Sequence, residues 1–183
     1  MTKRLTYRGM LREVALDQYG YVTSRDARRL GIPVTELPKL AARGGVRRVG
    51  WGLYRFDDIP MTPRDQYMEA VLLGGAGAVL SHDAVLALHR LALVNPRTIR
   101  VTAPARNRRA LPGHVTLVRR ALGPTDATIY EGLPATTVAR ALIDCIPLVR
   151  RDRLVDAANE ARAEGLLTRS EHRRVLGELR AHP

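Results

Sequence analysis

Apolar residues recur three and four positions apart along much of this chain, and shorter runs alternate with period two. The change between the two patterns separates helices from strands. Over residues 5–19, Leu11, Val14, Ala15 and Leu16 form an apolar stripe on one face of a predicted helix. The stretch from Gly20 to Phe56 then reads GYVTSRDARRLGIPVTELPKLAARGGVRRVGWGLYRF. Thr23 is placed to cap a helix over Ser24 to Leu30, with Ala27 and Leu30 on one face, and Gly31 supplies a tight turn. Thr35 is placed to cap a second helix in which Leu37, Leu40 and Ala41 fall on the buried side while Glu36, Lys39 and Arg43 face away. Pro38 falls at the third helical position, where the N–H it lacks would have no intrahelical partner, and Gly44 ends the helix. Val46-Arg47-Arg48-Val49 and Leu53-Tyr54-Arg55-Phe56 follow as two short strands around the turn Gly50-Trp51-Gly52. Three helices and then a basic hairpin is the order of a winged helix-turn-helix.

Asp57-Asp58-Ile59-Pro60 ends the hairpin, and Thr62-Pro63-Arg64-Asp65 is a helix start in which threonine caps, proline takes the first position and the acid returns the hydrogen bond. The pattern therefore divides the chain into a winged helix-turn-helix domain of residues 1–60 and a second domain of residues 61–183. In the second domain a helix ends at Gly74-Gly75-Ala76-Gly77, and another opens at Ser81 with Ala84, Val85, Leu88 and Leu91 turned inward. Residues 98–103 and 114–120 alternate as strands, and Ala127 to Tyr130 adds a third. Thr137 caps a helix through Cys145, Arg150 to Glu164 form another that Gly165 stops, and Thr168 with Glu171 makes a capping box for the last. The predicted class is α+β: a winged helix-turn-helix followed by a small β-sheet with helices.

Charge sharpens this division. The 183 residues carry 30 basic and 18 acidic side chains, a net charge of +12. Residues 1–60 hold an excess of six positive charges, residues 61–125 another six, and residues 126–183 none. All but two of the basic residues are arginine, which suits bidentate contacts to phosphate and guanine and suits a GC-rich coding bias equally well. Their placement is therefore the informative quantity. With aromatics at only 4%, the core must be built from alanine, valine and leucine. The single cysteine, Cys145, excludes an internal disulfide and a cysteine-rich zinc site. The N-terminus lacks the apolar run of a signal peptide and no segment has the length to cross a bilayer, so a cytoplasmic protein is expected.

The arrangement of the first domain points to double-stranded DNA. A second helix of suitable width enters the major groove while wing arginines reach flanking phosphates. The candidate DNA-binding residues are Thr23, Ser24, Thr35, Glu36, Lys39, Arg43, Arg47, Arg48, Trp51 and Arg55. Arg4, Arg8 and Arg12 recur along one face of the first helix and either brush the backbone or are solvated. A further basic loop runs from Pro104 to Arg109. The alternative to DNA binding is a helical subdomain whose arginines merely face water.

Catalytic and metal sites are not expected. Ser81-His82-Asp83 holds the residue types of a hydrolase triad, but neighbours in sequence do not face each other on a helix, and a cap with two first-turn polar residues accounts for them. Gly74-Gly75-Ala76-Gly77 lacks the lysine and hydroxyl that end a P-loop. His82 and His89 stand seven apart with no further ligand at metal spacing, and Cys145 lies among apolar neighbours. The acid-x-lysine centre of metal-dependent nucleases is absent, because the residues two before Lys3 and Lys39 are Met1 and Leu37. No cofactor is implied.

With those residues in place, the chain resembles the AbiEi-type antitoxins of bacterial type IV toxin–antitoxin systems. The resemblance runs in order through TSRDARRLGI, RRVGWGLYRF, AVLSHDAVLALHRL, TIRVTAP, HVTLVRR and EGLPATTVARALID. It implies a recognition helix over Thr35 to Arg43 and wing arginines at Arg47, Arg48 and Arg55. It also implies a repressor of its own operon, bound to promoter DNA and able to form a homodimer there, whose second domain counters a nucleotidyltransferase-like toxin. It assigns no residues to the antitoxic surface. Two other readings stay open: a winged-helix transcriptional regulator with a ligand-sensing second domain, and an enzyme built on residues 61–183. A related scaffold precedes a restriction-like nuclease domain in other proteins, and this sequence reaches Pro183 before any such domain.

Overall fold

A computed structural model describes residues 6–105 and 110–182. The chain divides into compact units of residues 1–73 and 74–183.

The first unit contains α1 (Tyr7–Leu16), β1 (Tyr21–Thr23), α2 (Ser24–Arg29), α3 (Glu36–Arg43), β2 (Val46–Gly50), β3 (Leu53–Phe56) and most of α4 (Asp65–Gly74). Thr6 caps α1 by accepting from the Gly9 N–H at 3.1 Å. Thr23 opens α2 with a reciprocal capping box: its N–H donates to Asp26 at 2.8 Å and its hydroxyl oxygen accepts from the Asp26 N–H at 3.1 Å. Gly31, at φ +68°, makes the left-handed turn that leads toward α3. The expected Thr35 cap does not form. Thr35 already has helical backbone angles, with φ −64° and ψ −15°, so its side chain makes no capping bond. Glu36 N–H instead donates to the Pro33 carbonyl at 2.9 Å, winding the turn into the helix.

Leu11, Ala15, Val22, Ala27, Ile32, Leu37, Leu40, Val46, Tyr54 and Phe56 form one apolar core beneath these elements. The hairpin is not a free two-stranded wing. Residues 21–23, too short to show alternation, add β1 to its side and give the antiparallel order β1-β3-β2, with Tyr21 opposite Arg55. Strand β3 is thereby internal, and all four of its residues are buried.

Helix α4 belongs with this sheet. Asp65 uses its two carboxylate oxygens for two purposes. Oδ1 accepts from the Thr62 N–H at 2.9 Å, which is the predicted capping contact, and Oδ2 accepts from Arg55 at 2.9 Å. Tyr21 donates its hydroxyl to Glu69 at 2.8 Å. These bonds carry the first unit to Leu73, so the division falls at 73/74 and not at the expected 60/61.

The second unit contains β4 (Val79–Leu80), α5 (Asp83–Leu88), β5 (Ile99–Ala103), β6 (Val115–Arg119), β7 (Ala127–Tyr130), β8 (Leu133–Thr136), α6 (Val138–Asp144), α7 (Arg151–Ala163) and α8 (Arg169–Ala181). Its mixed sheet has the order β6-β5-β4-β8-β7. Helix α6 packs against α5, α7 and α8, and Leu142, Leu154, Val175 and Leu179 are buried among them. The predicted caps of α6 and α8 are present: Thr137 accepts from Arg140 N–H at 3.3 Å, and Thr168 and Glu171 close a capping box. Ser81, by contrast, does not cap α5. That position falls to His82, whose backbone is left-handed at φ +55°, and Ser81 sits at the end of β4 with its hydroxyl accepting from Thr102 at 2.9 Å.

Candidate nucleic-acid interface

Helix α3 passes through Gly44 and Gly45 directly into β2 and packs against it, so the cations of both lie on adjoining parts of the first unit. Thr35, Lys39, Arg43, Arg47 and Arg48 are all exposed, while Glu36 is half-buried. Lys39 reaches Glu36 at 2.7 Å one helical turn back, and Arg47 reaches Asp57 at 3.2 Å. Surface pairs whose cation is exposed in this way contribute about 1 kcal/mol or less, so a phosphate can replace the carboxylate at little cost. Arg48 donates to the Gly50 carbonyl at 3.2 Å, and its guanidinium lies 5.6 Å from the centre of the Trp51 ring. Trp51, at the tip of the hairpin, is 67% exposed.

Three sequence-predicted contacts have other work. Arg55 is 2% exposed. Its guanidinium donates to the Phe56 and Ile59 carbonyls, each at 3.0 Å, as well as to Asp65, and it lies over the Tyr21 ring. An arginine enclosed on β3 in this way cannot reach a phosphate, so its assignment to DNA is corrected: it fastens the hairpin to the start of α4. Strand alternation gave no warning, because β1 pairs along the edge that a bare hairpin would leave open and brings Tyr21 against Arg55. Thr23 is likewise occupied, its hydroxyl donating to Asp26 at 2.7 Å within the cap. Ser24 is half-buried under the turn, where its N–H donates to the Gly52 carbonyl at 2.8 Å. Both residues position the wing from beneath.

The arginines of the first helix are partly engaged. Arg8 lies over the Phe56 ring at 5.6 Å, and Arg12 pairs with Asp58 at 2.7 Å, a hydrogen bond that holds the Asp58 carboxyl below its usual range. Arg4 and the loop residues Arg106, Asn107, Arg108 and Arg109 lie outside the described residues.

In the second unit the polar groups turn inward. Ser81, His82, Asp83, Thr102 and Asp144 are buried. Ser81 Oγ stands 2.9 Å from His82 Nδ1, but the Asp83 carboxylate pairs with Arg100, so the three residues do not form a nucleophile–base–acid relay. Ser81 is fully enclosed. Burial lowers the His82 pKa, against the pull of Asp144 and Asp83, and it raises that of the Cys145 thiol. Asp144 takes hydrogen bonds from both Arg120 and Arg140; burial raises its pKa, and these two bonds outweigh the burial to hold it low. The cluster ties α5 and α6 to the sheet. Among the described residues, no three His, Cys, Asp or Glu side chains are grouped to hold a metal ion, and no helix is long and apolar enough to cross a membrane.

Residues 10–56 match the family model described as transcriptional regulator, AbiEi antitoxin. No curated protein matches the chain. Among solved structures, the chain is similar to the crystal structure of the RV2827C protein from Mycobacterium tuberculosis, with 18% identity and a TM-score of 0.51 over 96% of this chain and 73% of that one. At that identity the likeness is one of fold, and it extends through both units. The likeness to the AbiEi antitoxin regulators is thus carried by residues 10–56, the stretch from α1 to the end of β3.

Proposed function

We propose that this protein is a DNA-binding antitoxin that represses its own toxin–antitoxin operon and counters a nucleotidyltransferase-like toxin. The observation that carries the reading is the set of exposed cations on α3 and β2, Lys39, Arg43, Arg47 and Arg48, within the segment that matches the regulator family. Helix α3 enters the major groove of promoter DNA, where Lys39 and Arg43 face base edges and neighbouring phosphates. Arg47 and Arg48 neutralise flanking phosphates, exchanging weak surface contacts for charge-assisted ones. A homodimer on a palindromic site repeats this contact one helical turn away. The unit of residues 74–183 supplies the antitoxic function, works by binding and not by catalysis, and acts in the cytoplasm alongside its toxin.

Two measurements test this. A reporter driven by the protein's own promoter is repressed by the full chain and released by Lys39→Ala with Arg43→Ala. Growth arrested by the toxin of the same operon is rescued by co-expression of the full chain and by a folded fragment of residues 74–183. An unrepressed reporter contradicts the regulatory half of the proposal. Rescue by the first unit alone, with none from a folded second unit, contradicts the antitoxic half.

A further inference from the structure

The hairpin tip holds its aromatic residue on a rigid mount. Gly50 approaches α4 so closely that a Cβ there would lie 2.9 Å from a Leu73 methyl, and one on Gly52 would lie 2.9 Å from Ser24 Oγ. The turn is therefore clamped on both sides, with the hydrogen bond from Ser24 to Gly52 fixing its second half. Gly52 has φ +63°, a conformation suited to glycine, and the sheet register shifts between Arg48 and Gly50, which sharpens the bend before the tip. Between these two anchors Trp51 projects 67% exposed, with the Arg48 guanidinium over its ring. An indole left this open in water is an unfavourable feature for folding alone, and the clamped turn has already removed much of the freedom that a ligand would otherwise have to restrict.

We propose that Trp51 is a minor-groove wedge: on binding, its ring inserts between two base pairs beside the site held by α3 and kinks the duplex, while Arg48 takes an adjacent phosphate. The inference rests on the reading of this unit as DNA-binding and adds a mode of recognition to it. The minor groove, about 6 Å wide, admits a single side chain from the hairpin apex but not a two-stranded ribbon. An aromatic ring with a stacked cation suits that space, because the ring replaces base stacking and the cation meets the dense phosphate charge at the groove edge. Specificity then comes partly from deformability: pyrimidine–purine steps, which unstack easily, are favoured under the wing over stiff A-tracts.

Trp51 is the only tryptophan in the chain, so its fluorescence reports directly on the wedge. Full-length protein is titrated with operator duplex at low salt, with anisotropy of labelled DNA following binding, acrylamide quenching following access to the indole, and energy transfer between end labels following bending. Insertion predicts that bound Trp51 becomes shielded from acrylamide and that the duplex bends by about 20–90°. Trp51→Ala, with an unchanged unfolding midpoint, straightens the duplex, loses the step preference and weakens binding about tenfold, whereas Trp51→Phe retains most of each effect. Binding with Trp51 still open to acrylamide, or with a straight duplex, overturns the wedge and leaves DNA binding intact. Absence of duplex binding by the folded protein overturns the DNA-binding reading itself, and the wedge with it.

Discussion

On α3 and the wing, Lys39, Arg43, Arg47 and Arg48 stand in water, and the carboxylates they meet are half-buried at Glu36 and exposed at Asp57. In the second unit, Arg100, Arg120 and Arg140 are two-thirds or more buried and are bound to the enclosed carboxylates of Asp83 and Asp144. The same side chain thus serves as a loosely held counter-charge in one unit and as a structural tie in the other. What separates the two roles is the environment of the carboxylate. An exposed acid releases its arginine to a competing phosphate, whereas a buried acid that loses its partner is left with an uncompensated charge. Arg55 belongs by this criterion with the ties of the second unit, although it sits in the basic hairpin.

Removal of a buried carboxylate should have the largest effect. Asp144→Ala leaves Arg120 and Arg140 without their shared partner, and Asp65→Ala leaves Arg55 enclosed and unpaired; each is expected to cost about 3–5 kcal/mol in denaturant unfolding. The chain boundary gives a related prediction. A fragment of residues 1–73 retains Asp65 and Glu69 and is expected to fold, while one ending at residue 60 loses the partners of both Arg55 and Tyr21 and is expected to be unfolded or loosely packed by circular dichroism.

Arg48→Ala and Arg55→Ala separate the two roles of arginine within a single hairpin. Arg55→Ala should lower stability by about 3 kcal/mol through the loss of its buried bonds, and Arg48→Ala should leave stability within about 0.5 kcal/mol while weakening DNA binding.

A smaller effect follows from His82, which faces Asp83 and Asp144 as well as Arg100 and Arg120. Burial lowers its pKa below the ordinary 6.5, so the unfolded chain binds the proton more readily than the folded one. His89, half-buried against Tyr130, is shifted the same way. Their contribution is fully present above pH 6.5 and is lost as pH falls through the folded values. The thermal midpoint should therefore decline between pH 7.5 and pH 5.5, and His82→Asn should flatten that decline. A midpoint that rises over this interval contradicts the assignment. At the small end, Arg12→Ala removes only a part-exposed pair with Asp58 and should change stability by less than about 1 kcal/mol.

Much of this fold was legible in the sequence because its signals are local. Capping residues at Thr23, Thr137 and Thr168, the turn at Gly31 and the glycine-bracketed hairpin each specify their element within four or five residues. The elements that escaped depend on partners distant in sequence. Strand β1 is three residues long and β4 only two, below the length at which alternation can be seen. Strand β8 contains Pro134, which argues against an interior strand; it is tolerated because pairing with β4 is confined to Leu80 opposite Ala135. The exposed cations of α3 and β2 followed from helical spacing and hairpin position. The burial of Arg55 did not, although Asp65 was in view as a capping residue. Its second oxygen was the missing signal, since an acid that opens the next helix is also placed to neutralise a charge on the preceding strand.

The proposed function assigns DNA binding to the exposed cations of the first unit and not to the buried ones. The direct test is the affinity of the full chain for its promoter duplex as salt is raised, measured for wild type, Arg48→Ala and Arg55→Ala, with the folded fraction of each determined in parallel. Wild-type binding should be tight at low salt and fall linearly in a double-logarithmic plot; Arg48→Ala should flatten that slope by about one unit, and folded Arg55→Ala should keep it. No binding by the folded wild type at low salt, or equal flattening by both substitutions, would rule out this division of roles.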